Sequence, residues 1–321
     1  MGMVVRMDET GGPDVLRPAD VDLPGPGPGE VQVRQTAIGV NFVDIYHRNG
    51  LYPVAGLPAI LGVEAAGRVE AVGPEVVGLA IGDRVAYAGL PAGSYAERRN
   101  LPEARLVPLP ETVPDELAAA SLLRGVTAHM LLDRVLAVRP GQTMLIHAAA
   151  GGVGQILTQW AKRLGMVTIG TVGSPAKAAV ARRCGLDHVI LYRSQDFVAA
   201  TKDLTGGRGA DCAVDGIGGT TLRQTLSAVH PFGIVASVGQ AGGPIPPLEV
   251  GTLAGITLAR PSVLTYLADP DTYRRAAAAL FQVLTEGLRI EIGARFPLSR
   301  AADAHAALAT GATTGSVVLI P

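Results

Sequence analysis

The chain has 321 residues, 48% of them hydrophobic and 17% charged, with 27 basic against 28 acidic side chains and a net charge of −1. This composition excludes a disordered chain, and the charge balance leaves no basic run for nucleic acid or an anionic membrane surface. No stretch reaches the roughly 18 consecutive apolar residues of a membrane span, and residues 1–8 carry no apolar leader core, so a cytoplasmic location is expected.

At roughly 100–200 residues per domain the length predicts two domains. The first third is β-rich and turn-rich. Leu23–Glu30 (LPGPGPGE) alternates Pro and Gly and reads as an extended loop, and Val31–Ala37 (VQVRQTA) alternates as a strand does. Gly67–Val72 and Arg84–Ala88 are further short strands punctuated by Gly73-Pro74 and Gly82-Asp83, a spacing that predicts a small barrel or sandwich. Asp115–Leu123 and Val126–Val135 are helical by composition.

Past Pro140-Gly141 a strand–helix alternation begins. Strands are predicted at Thr143–Ala148, Met166–Val172, Asp187–Tyr192, Ala213–Gly216 and Gly233–Gly239. Helices are predicted at Gly152–Leu164, Ala176–Arg183 and Asp196–Leu204, with Gly165 and Gly185 closing the first two. This alternation predicts a parallel, doubly wound α/β sheet. A helix over Asp271–Gly287 follows, and the apolar strand Ser316–Ile320 is expected to return to the first domain. Cys184 and Cys212 match no zinc or redox spacing and read as free thiols.

Between the first strand of the alternation and its helix lies Ala148-Ala149-Ala150-Gly151-Gly152-Val153-Gly154. Aligned on the dinucleotide fingerprint, Ala149 takes the first glycine position, Gly151 the middle one and Gly154 the last. The middle glycine lets backbone approach a pyrophosphate, the last lets helix and strand pack closely, and the helix N-terminus offers free N–H groups to the anion. After the second strand an NAD enzyme places an acid for the ribose 2′-OH. Here the chain reads Gly173-Ser174-Pro175-Ala176-Lys177, with a hydroxyl and a lysine suited to a 2′-phosphate, and Tyr192 and Arg193 flank the same end. NADPH is therefore the expected cofactor; the alternative for Lys177 is a solvated helix residue.

Taken together, Gly39–Tyr46 (GVNFVDIY), Gly50–Pro53 (GLYP), Gly62–Gly67 (GVEAAG), Ala80–Val85 (AIGDRV), Arg124–Ala128 (RGVTA), His147–Gly154 and Gly315–Pro321 resemble the zinc-independent quinone oxidoreductase branch, which includes zeta-crystallin, of the medium-chain dehydrogenase/reductase superfamily. The bacterial NADPH:quinone reductase type is the nearest pattern. The resemblance implies a GroES-like β-rich catalytic domain over residues 1–123, completed by about 266–321, around a Rossmann NADPH-binding domain over 124–265. It also implies a homodimer joined through the Rossmann sheets. Zinc-dependent relatives carry Cys where this chain has Asn41 and His where it has Val63. No metal is expected, because zinc needs about four N, S or O ligands.

Residue by residue, the resemblance places Asn41, Tyr46 and Tyr52 as catalytic residues beside nicotinamide and substrate, with Asn41 and Tyr46 also touching cofactor. Thr127, Gly151, Gly152, Val153, Gly154, Gly173, Ser174, Lys177, Tyr192, Gly239, Gln240 and Ser262 are the remaining expected cofactor residues. Both tyrosines read equally as half-buried packing residues. Asp44 reads as a loop stabiliser, His147 as a core residue with a backbone partner, and His129 as a residue on the helix after Thr127. Ser94-Tyr95 sits in a Gly-rich loop with no base predicted to pair with it. Close relatives carry near the C-terminus an arginine for the 2′-phosphate, and this chain has Gly311 there, which weakens the expected preference for NADPH.

The expected activity is metal-free hydride transfer from NADPH to a quinone. The rivals are reduction of alkenals, enones or other activated double bonds, and a non-catalytic NADPH-binding protein of structural or RNA-binding type.

Overall fold

The computed structural model describes residues 1–321. In chain order it carries β1 (Gly2–Met7), β2 (Arg17–Val21), β3 (Glu30–Val40), α1 (Phe42–Arg48), β4 (Ala59–Ile60), β5 (Glu64–Val72), β6 (Arg84–Ala88), β7 (Arg98–Pro102), β8 (Val107–Pro108), α2 (Asp115–Ala119) and α3 (Leu122–His129), with a π-helical turn over Met130–Val135. Then come β9 (Thr143–Ile146), α4 (Gly152–Arg163), β10 (Val167–Val172), α5 (Pro175–Arg183), β11 (His188–Leu191), α6 (Phe197–Leu204), β12 (Ala210–Asp215), α7 (Thr221–Ala228), β13 (Val229–Ser237) and β14 (Thr257–Ala259). The chain closes with α8 (Val263–Tyr266), α9 (Pro270–Thr285), β15 (Ile292–Pro297), α10 (Ala301–Ala309) and β16 (Ser316–Ile320). No helix is long and apolar enough to cross a membrane.

The chain divides into two units, one formed by Met1–Val126 with Leu264–Pro321 and the other by Thr127–Val263. The first unit is a GroES-like β assembly. Its seven-stranded sheet runs β15-β16-β3-β5-β6-β8, with β7 also paired to β3, beside a three-stranded sheet β2-β1-β4. β3 extends past the predicted strand to Val40, because its last four residues, Ala37–Val40 apart from Gly39, are apolar and all four are buried against β5 and β16. The expected return of the C-terminal strand is the antiparallel pairing Val317–Val40, Val318–Gly39 and Leu319–Ile38. Ile38, Val40, Leu61, Tyr87, Val317 and Leu319 share one core.

The second unit is a Rossmann-type sheet of six parallel strands in the order β11-β10-β9-β12-β13-β14. Leu145, Ile169, Ile190 and Val235 pack with Leu222, Leu226 and Phe197. Several predicted strands differ from the observed ones at their ends. The strand predicted over Thr143–Ala148 stops at Ile146, because Ala148 has φ +50 and turns the chain toward α4. The strand predicted at Gly233 begins at Val229 and stops at Ser237. Helix α7 was not predicted. Its sequence TLRQTLSA is polar, yet Leu222, Thr225 and Leu226 fall on one face and are buried.

Candidate active site

In a parallel sheet every strand ends at the same edge, so the loops after β9, β10, β11, β13 and β14 lie along one rim of the second unit. Those loops hold Gly151, Gly173 and Ser174, Tyr192, Gly239 and Gln240, and Ser262, and Gly152–Gly154 open α4 directly after the first. The chain steps outward from β9 through β10 to β11 and then returns to β12 on the other side of β9. This reversal is a topological switch point, where open α/β sheets bind ligands. Thr127 lies on α3 and is buried.

The loop after β9 fits an anion. Gly151 is the N-cap of α4 with φ −81 and ψ 172, and no side chain caps the helix. The first N–H groups of a 12-residue helix therefore have no side-chain acceptor, the arrangement that binds phosphate. The two outer glycines do different work. A Cβ on Gly154 would lie 2.4 Å from Ala148 O and 2.7 Å from Ala149 Cα, so helix and strand pack there only through glycine. A Cβ on Gly151 would meet Ala148 O at 3.1 Å, a close contact but far less of a clash than at Gly154, so packing alone does not demand glycine there. Gln155 Nε2 donates to Ala150 O at 3.0 Å and steadies the turn.

At the end of β10, Ser174 caps α5, accepting the Lys177 N–H at 3.3 Å, and Pro175 occupies the first turn. Tyr192 is 50% exposed, and its hydroxyl would stand 2.9 Å from a Cβ at position 173, so Gly173 makes room for the ring. Gly311 ends α10 with φ +64 and donates its N–H to Leu308 O at 3.1 Å, a left-handed position that glycine adopts without strain.

His147 is in the core, but its ring partners are hydroxyls instead of backbone. Nδ1 is 2.9 Å from Thr171 Oγ1 and Nε2 is 2.9 Å from Thr225 Oγ1, and burial pulls its pKa down. Asp215, which the sequence reading passed over, ends β12 by accepting the N–H groups of Ile217 at 2.7 Å and Gly218 at 3.0 Å. The His129 ring lies beside Trp160, centroids 5.9 Å apart.

In the first unit the three expected catalytic residues stand together around α1. Asn41 is its N-cap and is 5% exposed. Tyr46 is buried, and its ring meets the half-buried Tyr52 edge-on at 5.1 Å. The Tyr52 N–H donates to Tyr46 O at 2.9 Å, which ties the GLYP loop to the helix. His47 Nδ1 donates to Pro53 O at 3.1 Å, and its Nε2 has no partner.

Two buried carboxylates hold this turn. The first is Glu64, wholly buried at the start of β5. It accepts the Asn41 Nδ2–H at 2.9 Å and the Leu123 N–H at 2.6 Å, with Arg124 Nη1 at 3.7 Å. Burial pushes its pKa up, and Arg124, Asn41 and backbone N–H groups pull it back. Arg124 is itself anchored on Ala120 O at 3.0 Å and Val40 O at 2.6 Å. Sequence reasoning missed both residues. The available signal was an acid inside the apolar run Leu61–Ala66, which must find a partner if it is buried.

The second carboxylate is Asp44, which accepts the Asn41 N–H at 2.7 Å and the Tyr95 hydroxyl at 3.2 Å, while Oδ1 has no partner. Tyr95 Oη is 2.7 Å from His305 Nε2, and His305 Nδ1 is 3.3 Å from Arg48 Nη1. A guanidinium only donates. Nδ1 of His305 therefore accepts, Nε2 carries the hydrogen and donates it to Tyr95, and Tyr95 donates to Asp44. Burial, with Arg48 nearby, holds His305 down at about 3, so it is neutral. The loop tyrosine thus has partners that its local sequence did not show, because they come from α1 and α10.

Burial raises Asp44 from an ordinary 3.8 to about 7. A carboxyl whose folded pKa lies above its unfolded value stabilises the fold most below the unfolded pKa, and that contribution is lost as pH rises through the folded one. Asp44→Asn should therefore gain stability relative to the parent as pH rises from about 4 to 8. The gain is on the order of 4 kcal/mol at one pKa unit per 1.36 kcal/mol. Urea unfolding at pH 4 and pH 8 reads it, and an equal difference at both would refute it.

No group of three or more His, Cys, Asp or Glu side chains is arranged to hold a metal ion.

Comparison with known proteins fits this geometry. A family model described as the alcohol dehydrogenase GroES-like domain matches residues 27–111, and one described as zinc-binding dehydrogenase matches residues 152–282. A quinone oxidoreductase of Pseudomonas aeruginosa is 45% identical over 100% of both chains. A 2-haloacrylate reductase of a Burkholderia species is 39% identical over 100% of this chain and 99% of its own. The crystal structure of Escherichia coli quinone oxidoreductase complexed with NADPH has a TM-score of 0.96 at 37% identity, covering 99% of this chain and 100% of that one.

Proposed function

The chain belongs to the medium-chain dehydrogenase/reductase superfamily and, within it, to the quinone oxidoreductases, and from that premise we propose that it is an NADPH-dependent reductase of quinones working without a metal. The observation that carries the reading is the rim of the parallel sheet, where an uncapped helix start led by Gly151 and an acid-free turn after β10 fit NADPH. The NADPH complex of the Escherichia coli relative supports the same cofactor. Metal-free operation is supported by Asn41 and by the wholly buried Val63 at the two positions where zinc-dependent relatives carry ligands.

When bound, NADPH supplies a hydride from C4 of its nicotinamide. The protein's part is to bind and orient. The N–H groups at the start of α4 hold the pyrophosphate, and Ser174 and Lys177 meet the 2′-phosphate. Asn41 orients the nicotinamide end, and Tyr46 and Tyr52 offer an aromatic face and hydroxyl donors to a substrate oxygen that gains negative charge. A quinone that takes up one hydride and one proton becomes the hydroquinone, and the proton comes from solvent.

Steady-state NADPH oxidation with a quinone panel, with and without a chelator, tests the proposal. Turnover that the chelator leaves intact is expected, and tight NADPH binding with no turnover on any quinone would sink it. The second reading, reduction of an activated double bond, is favoured by the likeness to 2-haloacrylate reductase; activity on enones exceeding that on quinones in the same assay would select it. Lys177→Ala should raise the KM for NADPH about 10-fold or more and leave that for NADH nearly unchanged, since a charge-assisted contact contributes about 1.5–3 kcal/mol. Equal effects on both would remove Lys177 from the 2′-phosphate.

The same reading makes the protein a cytoplasmic homodimer acting on small molecules. The unpaired edge of β14 and the exposed side chains of Phe232 (86%) and Val250 (82%) support association through the second unit.

A further inference from the structure

The two ends of an asparagine amide have nearly the same shape, and only their partners decide which end points where. At Asn41 the decision is made by Glu64. A carboxylate only accepts, so Nδ2 must face it, at 2.9 Å. The oxygen end is left for donors, on the side of the Asp44 backbone N–H at the start of α1.

Glu64 is itself over-determined. Oε1 takes the Leu123 N–H at 2.6 Å, and Oε2 has Arg124 Nη1 at 3.7 Å. A Cβ on Gly39 would stand 2.2 Å from Ala119 O and 2.4 Å from Oε2, so β3 carries glycine where that carbonyl and the carboxylate both crowd it. Glutamine could satisfy Leu123 through its oxygen, but its NH2 would then face the NH2 of Asn41, donor against donor. Only a carboxylate accepts from both. That requirement accounts for a fully buried charge here and for the buried arginine that accompanies it.

We propose that Glu64 is a positioning residue of the site, fixing the Asn41 amide with its oxygen presented as acceptor and its nitrogen turned away. The inference rests on the reading that Asn41 borders the cofactor, where the acceptor meets a ribose hydroxyl.

A polarity swap tests it. In Glu64→Gln the glutamine NH2 turns the Asn41 amide over. In Asn41→Asp two carboxylates face each other. In the double variant N41D/E64Q, the glutamine accepts from Leu123 and donates to the aspartate that replaces Asn41, and an acceptor is presented again with the charge count unchanged. The measurement is the Kd for NADPH, from equilibrium fluorescence titration without substrate. Adenosine 2′,5′-bisphosphate serves as a control ligand that lacks the nicotinamide half. Each single variant is expected to bind NADPH about 10-fold more weakly, one hydrogen bond's worth, and the double to return to within about 3-fold of the parent. Binding of the bisphosphate should be unchanged in all three.

Parent-like NADPH binding by E64Q overturns the proposal. So does a double variant no better than the single ones, or a parallel loss of bisphosphate binding, which would mark a general structural fault. If E64Q does not fold, the comparison of N41D with N41D/E64Q decides alone. Asn41→Ala separates the two levels. Parent-like NADPH binding by N41A would remove Asn41 from the cofactor, whereas weakened binding by N41A with parent-like E64Q would leave that reading standing and reject Glu64.

Discussion

Replacing Gly151 by valine is expected to leave the protein folded and to raise its Kd for NADPH by at least about 100-fold, roughly 2.7 kcal/mol. The backbone there has φ −81 and ψ 172, which a β-branched residue accepts, and the nearest atoms to the new Cβ would be Ala148 O at 3.1 Å, a contact that a shift of a few tenths of an ångström relieves, and Ala148 Cβ at 3.9 Å. The side chain would instead fill the space outside the loop that a pyrophosphate needs. Gly154→Val makes the opposite pattern, since its Cβ would lie 2.4 Å from Ala148 O, and the expected result is a lower Tm of the ligand-free protein. Thermal unfolding and NADPH titration of both variants separate the roles. Unchanged affinity in G151V would remove the loop from the binding site.

The second large effect concerns Arg124. Arg124→Met leaves the Glu64 carboxylate wholly buried without its cation, a change that costs about 3–5 kcal/mol. For a protein of this size that is roughly 4–7 °C in Tm. The loss has a pH signature. Without Arg124 the folded pKa of Glu64 moves further above its unfolded value, so stability falls as pH rises through that folded pKa and is partly recovered by acid, which protonates the carboxyl. The double variant E64Q/R124M should regain most of the loss, because no unpaired charge remains. A single variant as stable as the parent at pH 8 would show that the pair does not hold the turn.

Much of the second unit was legible in the sequence because its signals are local. Gly152 to Gly165 reads as a helix with its start and stop marked, and the structure has α4 over Gly152–Arg163 with Gly165 left-handed at φ +75. Helix α6 begins where Asp196 caps it, accepting from Val198 at 2.8 Å and Ala199 at 3.4 Å. Helix α7 escaped because its apolar face is only two leucines and a threonine wide. The first unit was read less fully: β1, β2, β15 and α10 carry no clean period or turn signature and are fixed by pairing across distant sequence. The same reason hid half of the candidate site. Asn41, Tyr46 and Tyr52 lie in one short segment, but what holds them comes from Glu64, Tyr95, Arg124 and His305. A one-dimensional pattern cannot show that Tyr95 and His305, 210 positions apart, share a hydrogen bond.

Strand β16, residues 316–320, sits inside the seven-stranded sheet between β15 and β3. During synthesis Thr127–Val263 can fold as soon as it clears the ribosome, being one continuous stretch. The first unit has to wait. Until residues 316–320 emerge, β3 offers an open edge with Ile38 and Val40 uncovered, a surface that recruits other nascent chains. The protein is thus most exposed to aggregation between completion of its second unit and emergence of β16. Deleting residues 316–320 should lower soluble yield far more than a deletion of the same size in the loop at Leu23–Gly29.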